Sequence, residues 1–183
     1  MDIQELESKV ENLKAEIDDL KKGIVANKMT ISVISGELDK IYSAFVLATG
    51  GVAMGMEVVM YFTFWALAAM RDKNKVVQDK EEVEKMLGIN LPRDAEEVGL
   101  AKTNIGGIDT AAFKALMEKS NIPSLKQMIS MAAELGVRIY LSDKSTEMLG
   151  FTHDEFIDYP GLDFAGVGTF LNEAKNSKVQ LFI

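Results

Sequence analysis

Residues 28–71 read KMTISVISGELDKIYSAFVLATGGVAMGMEVVMYFTFWALAAMR, and this stretch decides the fold. Lys28 to Ser35 is β-branched and apolar, the composition of a strand. Gly36 turns the chain. From Leu38 to Met54, apolar residues at Leu38, Ile41, Phe45 and Val52 keep a helical spacing. Glu57 to Phe64 (EVVMYFTF) is apolar without alternation, which predicts a second strand buried on both faces. Trp65 to Arg71 begins another helix. Strand, helix, strand, helix is the opening of a parallel α/β sheet.

The same stretch has to be weighed as a membrane span. Glu57 is the sole charge between Ala44 and Met70, and a span takes about 20 apolar residues. Glu57 divides the run into Ala44–Met56 and Val58–Met70, 13 residues each. A charge at mid-depth in a bilayer costs about 3 kcal/mol. Gly50, Gly51 and Gly55 are expected to break any continuous helix. A buried helix followed by a buried strand gives the same composition and is the reading adopted, so a membrane is not an expected partner.

Toward the N-terminus, residues 2–27 read as a coiled coil. Ile3, Leu6, Val10, Leu13, Ile17, Leu20 and Ile24 alternate by three and four, the a/d seam of a heptad. β-branched residues at a and leucine at d favour two strands, with three still open. A parallel in-register pair sets Asp2 against Glu7 and Lys9 against Lys14, both repulsive, with Glu16–Lys21 attractive. An antiparallel pair with Val10 layered on Leu13 of the second helix sets Lys9 against Glu16 and Glu7 against Lys14, each twice. All four contacts attract, at about 0.3–0.5 kcal/mol apiece, a mild preference. The alternative is a helix that packs on its own globular domain. Gly23 and Asn27 close the segment.

Toward the C-terminus, residues 72–108 are polar, with Pro92 and Gly106–Gly107. A short helix is expected near Glu81–Leu87, then an irregular excursion of the kind that often forms a lid or binding loop. Thr110–Lys119 is a helix. Ser124-x-x-Gln127 is a capping box that opens a helix to Leu135, and Gly136 ends it. Val137–Ser142 (VRIYLS) is a third strand and Ser145–Leu149 a short helix. Thr152-x-x-Glu155 is a second capping box. Ala165-Gly166-Val167-Gly168 is a turn before a helix that runs to Asn176, and Val179–Ile183 is a terminal strand.

Composition narrows the chemistry. The chain has 183 residues, a net charge of −8, no cysteine and one histidine. The absence of cysteine excludes disulfides, zinc–thiolate sites, iron–sulfur clusters and thiol peroxidase chemistry. The negative charge argues against nucleic acid and anionic lipid as partners. No apolar signal core opens the chain, so cytoplasm is the expected compartment. His153 lacks a second histidine for a two-histidine metal site, and nothing in the spacing joins it to Ser142 in a triad. It reads as a surface residue. No metal and no cofactor are expected, and the glycine-rich turns match neither phosphate-binding fingerprint. The 11 methionines read as core filling, with Met54, Met56, Met60 and Met70 in the apolar stretch and Met117, Met128 and Met131 on helices.

In an open parallel sheet, ligands bind beyond the carboxyl ends of the strands. That rule selects Ser35-Gly36-Glu37, Thr63-Phe64-Trp65 and Ser142-Asp143-Lys144-Ser145. Each is followed by a helix and offers backbone N–H groups, although small polar residues also simply cap helices at such turns.

Several stretches together resemble the DsrE/DsrF-like family, in particular the clade also catalogued as "peroxiredoxin family protein". They are Ser35–Lys40, Ala53–Val58 running into Phe62–Trp65, Asn104–Gly107, Pro123–Leu125, Ser145–Gly150, Phe164–Leu171 and Leu181–Ile183. The resemblance covers about residues 28–183, behind a coiled-coil leader at 1–27. It implies a doubly wound open parallel sheet, homo-oligomers that are often trimers or hexamers, and sulfur-carrier or sulfurtransferase activity. In that chemistry a cysteine takes sulfane sulfur as a persulfide and passes it to a partner such as a TusA-like carrier. The family cysteine typically ends the third strand, eight residues before the glycine matched by Gly150, and that position here is Ser142.

A serine hydroxyl cannot form a persulfide, so the transfer role does not carry over. What carries over is a pocket drawn from Ser35, Gly36, Phe64, Trp65, Ser142 and Ser145. The leading expectation is a non-catalytic member that binds a ligand or partner there. The alternatives are a scaffold or regulatory subunit in hetero-oligomers with cysteine-bearing paralogues, and an enzyme that uses Ser142 or a bound cofactor.

Overall fold

The structure, a computed structural model, describes residues 3–22, 26–75, 86, 88, 90–101 and 109–183. The helix expected near Glu81–Leu87, the Gly106–Gly107 turn, the Asn104–Gly107 part of the resemblance, and Gly23 and Ile24 lie outside the described residues.

Helix α1 (Ile3–Lys22) precedes strand β1 (Ala26–Val33), helix α2 (Leu38–Ala53) and strand β2 (Glu57–Phe62). A 3₁₀ segment follows at Phe64–Met70. Helices α3 (Thr110–Lys119) and α4 (Leu125–Glu134) lead to β3 (Arg138–Ser142) and α5 (Asp143–Met148). A 3₁₀ turn at His153–Glu155, β4 (Leu162–Ala165), α6 (Val167–Lys175) and β5 (Ser177–Phe182) complete the chain. The strands form one parallel sheet in the order β4-β3-β2-β1-β5.

Strand parity sorts the two faces. Met29, Ile31 and Val33 of β1, Val58, Met60 and Phe62 of β2, and Ile139 and Leu141 of β3 share one core. Against it lie Leu38, Ile41, Phe45 and Ala48 of α2 and Leu125, Met128, Ile129 and Ala132 of α4. On the opposite face α6 packs Phe170 and Ala174 on Tyr61 and Tyr140. Phe170 stacks on Tyr61 with ring centroids 5.0 Å apart. That second face is partly polar. Lys28 bridges Glu173 at 2.6 Å and Glu57 at 3.3 Å, and Arg138 joins the same two carboxylates. With helices on both faces, the doubly wound α/β reading is the observed fold.

Several local expectations are corrected. Gly50 and Gly51 do not break α2, which runs through both to Ala53. A Cβ on Gly51 would sit only 3.1 Å from Val58 and 3.2 Å from Met29, so this glycine lets helix and sheet approach. The stop falls at Gly55, whose φ of +73° suits glycine. The segment after β2 is a 3₁₀ helix, and Ser142 caps α5 directly, so that helix begins at Asp143. Strand β4 was not expected. Met29, Met60, Met70, Met117 and Met128 are core, whereas Met54 is 80% exposed and Met131 and Met148 are also exposed. Among the described residues, no helix is long and apolar enough to cross a membrane.

Candidate functional site

Register places the three turns selected from sequence side by side. Val33 pairs with Phe62 and Phe62 with Leu141, so the exits of β1, β2 and β3 are neighbours along one edge of the sheet. The Thr63 amide donates to the Val33 carbonyl at 3.0 Å, which ties the first two exits together.

Ser35, Gly36 and Trp65 line an open cleft of about 650 Å³, with Glu37, Leu91, Pro92, Gly99 and Leu100. The cleft floor depends on a close approach of two backbones. A Cβ on Gly36 would lie 2.8 Å from the Trp65 carbonyl oxygen and 2.9 Å from its Cβ. Only glycine fits there without displacement. Phe64 adopts φ +48°, the left-handed region that costs a bulky residue about 1–3 kcal/mol, so the turn that presents Trp65 is strained. Trp65 is 50% exposed and Phe64 44% exposed, and Phe64 stands outside the cleft lining. The Ser35 hydroxyl donates to the Glu37 carboxylate at 3.2 Å. Glu37 is the N-cap residue of α2, and the next amide, Leu38, donates to the Gly99 carbonyl at 2.8 Å.

Leu91, Pro92, Gly99 and Leu100, on the far wall, come from the irregular 72–108 stretch expected to form a lid or binding loop, but the sequence does not single them out as lining residues. Their signal was weak, a proline and a glycine in a polar, irregular stretch. Arg71 positions that wall. Its guanidinium donates to the Pro92 carbonyl at 3.1 Å and the Gly88 carbonyl at 3.3 Å. It also pairs with Glu155 at 3.2 Å and lies 4.5 Å from the centre of the Phe151 ring. Both members of the pair are buried. Glu155 in turn accepts from the Thr152 amide at 2.8 Å, which is the second capping box.

Ser142 and Ser145 sit apart from this lining. Both are buried at 5% exposure. The Ser142 hydroxyl accepts from the Ser145 amide at 3.4 Å, so its oxygen serves as the N-cap of α5. Ser145 Oγ lies 2.8 Å from Thr63 Oγ1, a hydroxyl pair that joins the β2 and β3 exits. Beside it the Thr146 hydroxyl is buried without a hydrogen-bond partner among the described residues. His153 is exposed, stacks on Phe164 at 3.5 Å and faces Asp143 at 3.6 Å. Among the described residues, no group of three metal-ligating side chains comes together.

A five-stranded parallel sheet with helices on both faces and a cleft beyond its strand exits defines a doubly wound α/β protein. The chain belongs to the DsrE/DsrF/DrsH-like family, whose sequence profile matches residues 25–182. It is 36% identical over 156 residues to the uncharacterized protein YrkE of Bacillus subtilis, covering 85% of this chain and 96% of that one. It is 27% identical over 157 residues to the sulfur carrier protein DsrE2 of Allochromatium vinosum, covering 85% and 98%. The crystal structure of the Escherichia coli ychN protein superposes with a TM-score of 0.51 at 11% identity, over 85% of this chain and 98% of that one. The chain is thus related to sulfur-carrier proteins and has no cysteine.

Proposed function

We propose that this protein is a non-catalytic member of its family that binds a small ligand or a partner's side chain in the strand-exit cleft and carries no sulfur. One observation bears most of the weight. The resemblance sets the family's cysteine position at Ser142, and Ser142 is a buried hydroxyl whose oxygen is engaged as a helix cap. An alkoxide there would have to form without solvent and give up the cap, and a hydroxyl stores no sulfane sulfur. Meanwhile the separate cleft at the β1 and β2 exits is open and has an exposed indole and a carboxylate in its lining. An aromatic face with an adjacent acid suits a flat or cationic group better than an anion such as thiosulfate.

The test is direct. Purified protein treated with polysulfide or thiosulfate should show an unchanged intact mass after desalting. A sulfur adduct that survives desalting would overturn the reading. Trp65 is the only tryptophan in the sequence, so its emission reports cleft occupancy. Amine-bearing aromatic ligands should shift that emission in a saturable way, and Trp65→Phe should abolish the signal.

A further inference from the structure

Among the described residues, the first four positions of the α1 seam are exposed. Ile3 is 72% exposed, Leu6 43%, Val10 47% and Leu13 56%. An isolated helix of this length and polarity is marginal in water, and an amphipathic stripe normally finds an apolar partner. From Leu6 to Leu13 the stripe is not buried against the α/β domain. That exposed part of the stripe is open to a second chain.

We propose that α1 pairs with α1 of a second copy, two-stranded and antiparallel, with Val10 of each helix layered on Leu13 of the other. Charge complementarity selects the occupant and its direction. With Val10 opposite Leu13, residue numbers at one level sum to about 23. Lys9 then flanks Glu16 of the second helix and Glu7 flanks Lys14, and symmetry doubles both contacts. All four of these residues are exposed on α1. The parallel arrangement places Lys9 against Lys14, like against like. An acidic or basic foreign helix would satisfy only half of the alternating charges, whereas a reversed copy satisfies all four contacts.

The full-length protein tests this cleanly, because it has no native cysteine. Spin labels are attached to Gln4→Cys in one sample and Asn12→Cys in another, both off the seam. In the antiparallel pair, the two Gln4 labels lie 15 residues apart along the axis, about 22 Å, while the Asn12 labels are almost level. The expected result is a long distance at position 4 and a short one at position 12. Equal short distances at both positions, a short component at position 4, or no dipolar coupling at position 12 would each overturn the proposal. Lys9→Glu adds a test of sign. It turns two attractive contacts repulsive in the antiparallel pair and should weaken self-association about 10-fold. In a parallel pair it removes the Lys9–Lys14 repulsion and would strengthen association instead. Adding Glu16→Lys restores complementarity in the antiparallel pair and should recover the lost affinity.

Discussion

Gly36→Ala, compared with Gly50→Ala, isolates what the cleft floor costs. At Gly36 the added methyl would meet the Trp65 carbonyl oxygen at 2.8 Å and the Trp65 Cβ at 2.9 Å, and backbone lies on both sides. Neither side yields easily. The β1 exit is held by the Ile34 amide on the Ile183 carbonyl at 2.8 Å and by the Leu38 amide on the Gly99 carbonyl at 2.8 Å. The β2 exit is already strained at Phe64. Overpacking of this kind costs about 1–3 kcal/mol, offset by about 0.4–1 kcal/mol from the stiffer unfolded chain. The net expectation is destabilisation by about 1–2 kcal/mol. At Gly50, in the exposed part of α2, nothing lies within 4 Å of an added Cβ. The same chemical change there should stabilise by about 0.5–1 kcal/mol. Urea unfolding followed by Trp65 emission and far-ultraviolet circular dichroism measures both. The two substitutions should move the midpoint in opposite directions, and Gly36→Ala should also shift native Trp65 emission. A Gly36→Ala midpoint at or above wild type, with unchanged emission, would refute the steric account.

Other perturbations follow from the same geometry. Arg71→Met takes the guanidinium away from the buried Glu155 carboxylate and should cost about 3–5 kcal/mol, with part recovered in Arg71→Met/Glu155→Gln; an unfolding midpoint like wild type would contradict the buried pair. Ser142→Ala removes the α5 cap and should cost about 1 kcal/mol by the same assay, whereas a neutral result would mean the hydroxyl is not used as a cap. Glu57 and Asp94 lie below the usual carboxylate range. Burial pushes each up, but hydrogen bonds and charge from Arg138 and Lys28 at Glu57, and from Lys73 at Asp94, outweigh it. A depressed folded value means stability that is present above about pH 4 and lost as the pH falls through the folded value, because the unfolded chain takes up protons first. Urea midpoints should therefore fall on acidification, less so in Glu57→Gln/Asp94→Asn, and an identical pH profile in that variant would discount both pairs.

The elements that bury a continuous apolar run could be read from residues alone. β1, β2 and β3 announce themselves through β-branched stretches, and α2 through its spacing at Leu38, Ile41 and Phe45. The misreadings share a cause, which is information held in the tertiary partner. β4 has four residues at the sheet edge, only Ala165 of them buried, so it carries little apolar signal. Gly51 looks like a helix breaker until Met29 and Val58 are seen pressing on it. The site divides in the same way. Ser35, Gly36 and Trp65 were reachable because strand exits are marked by small residues after apolar runs. The far wall was not, because Pro92 owes its place to Arg71 and Arg71 to Glu155, contacts between residues up to 84 positions apart. Ser142 was found by counting, but counting could not show that its oxygen faces an amide instead of a ligand.

A parallel sheet has two unlike ends, and the two proposals above assign each end a separate task. Helix α1 feeds into the start of β1, while the cleft opens past the finish of β1, a strand of 8 residues and about 26 Å away. Two copies joined through α1 would carry two clefts in one assembly. Such an arrangement behaves as a two-handed grip: a target that presents two matching groups is retained by rebinding, so weak contact at each cleft becomes durable attachment without any change in the cleft itself.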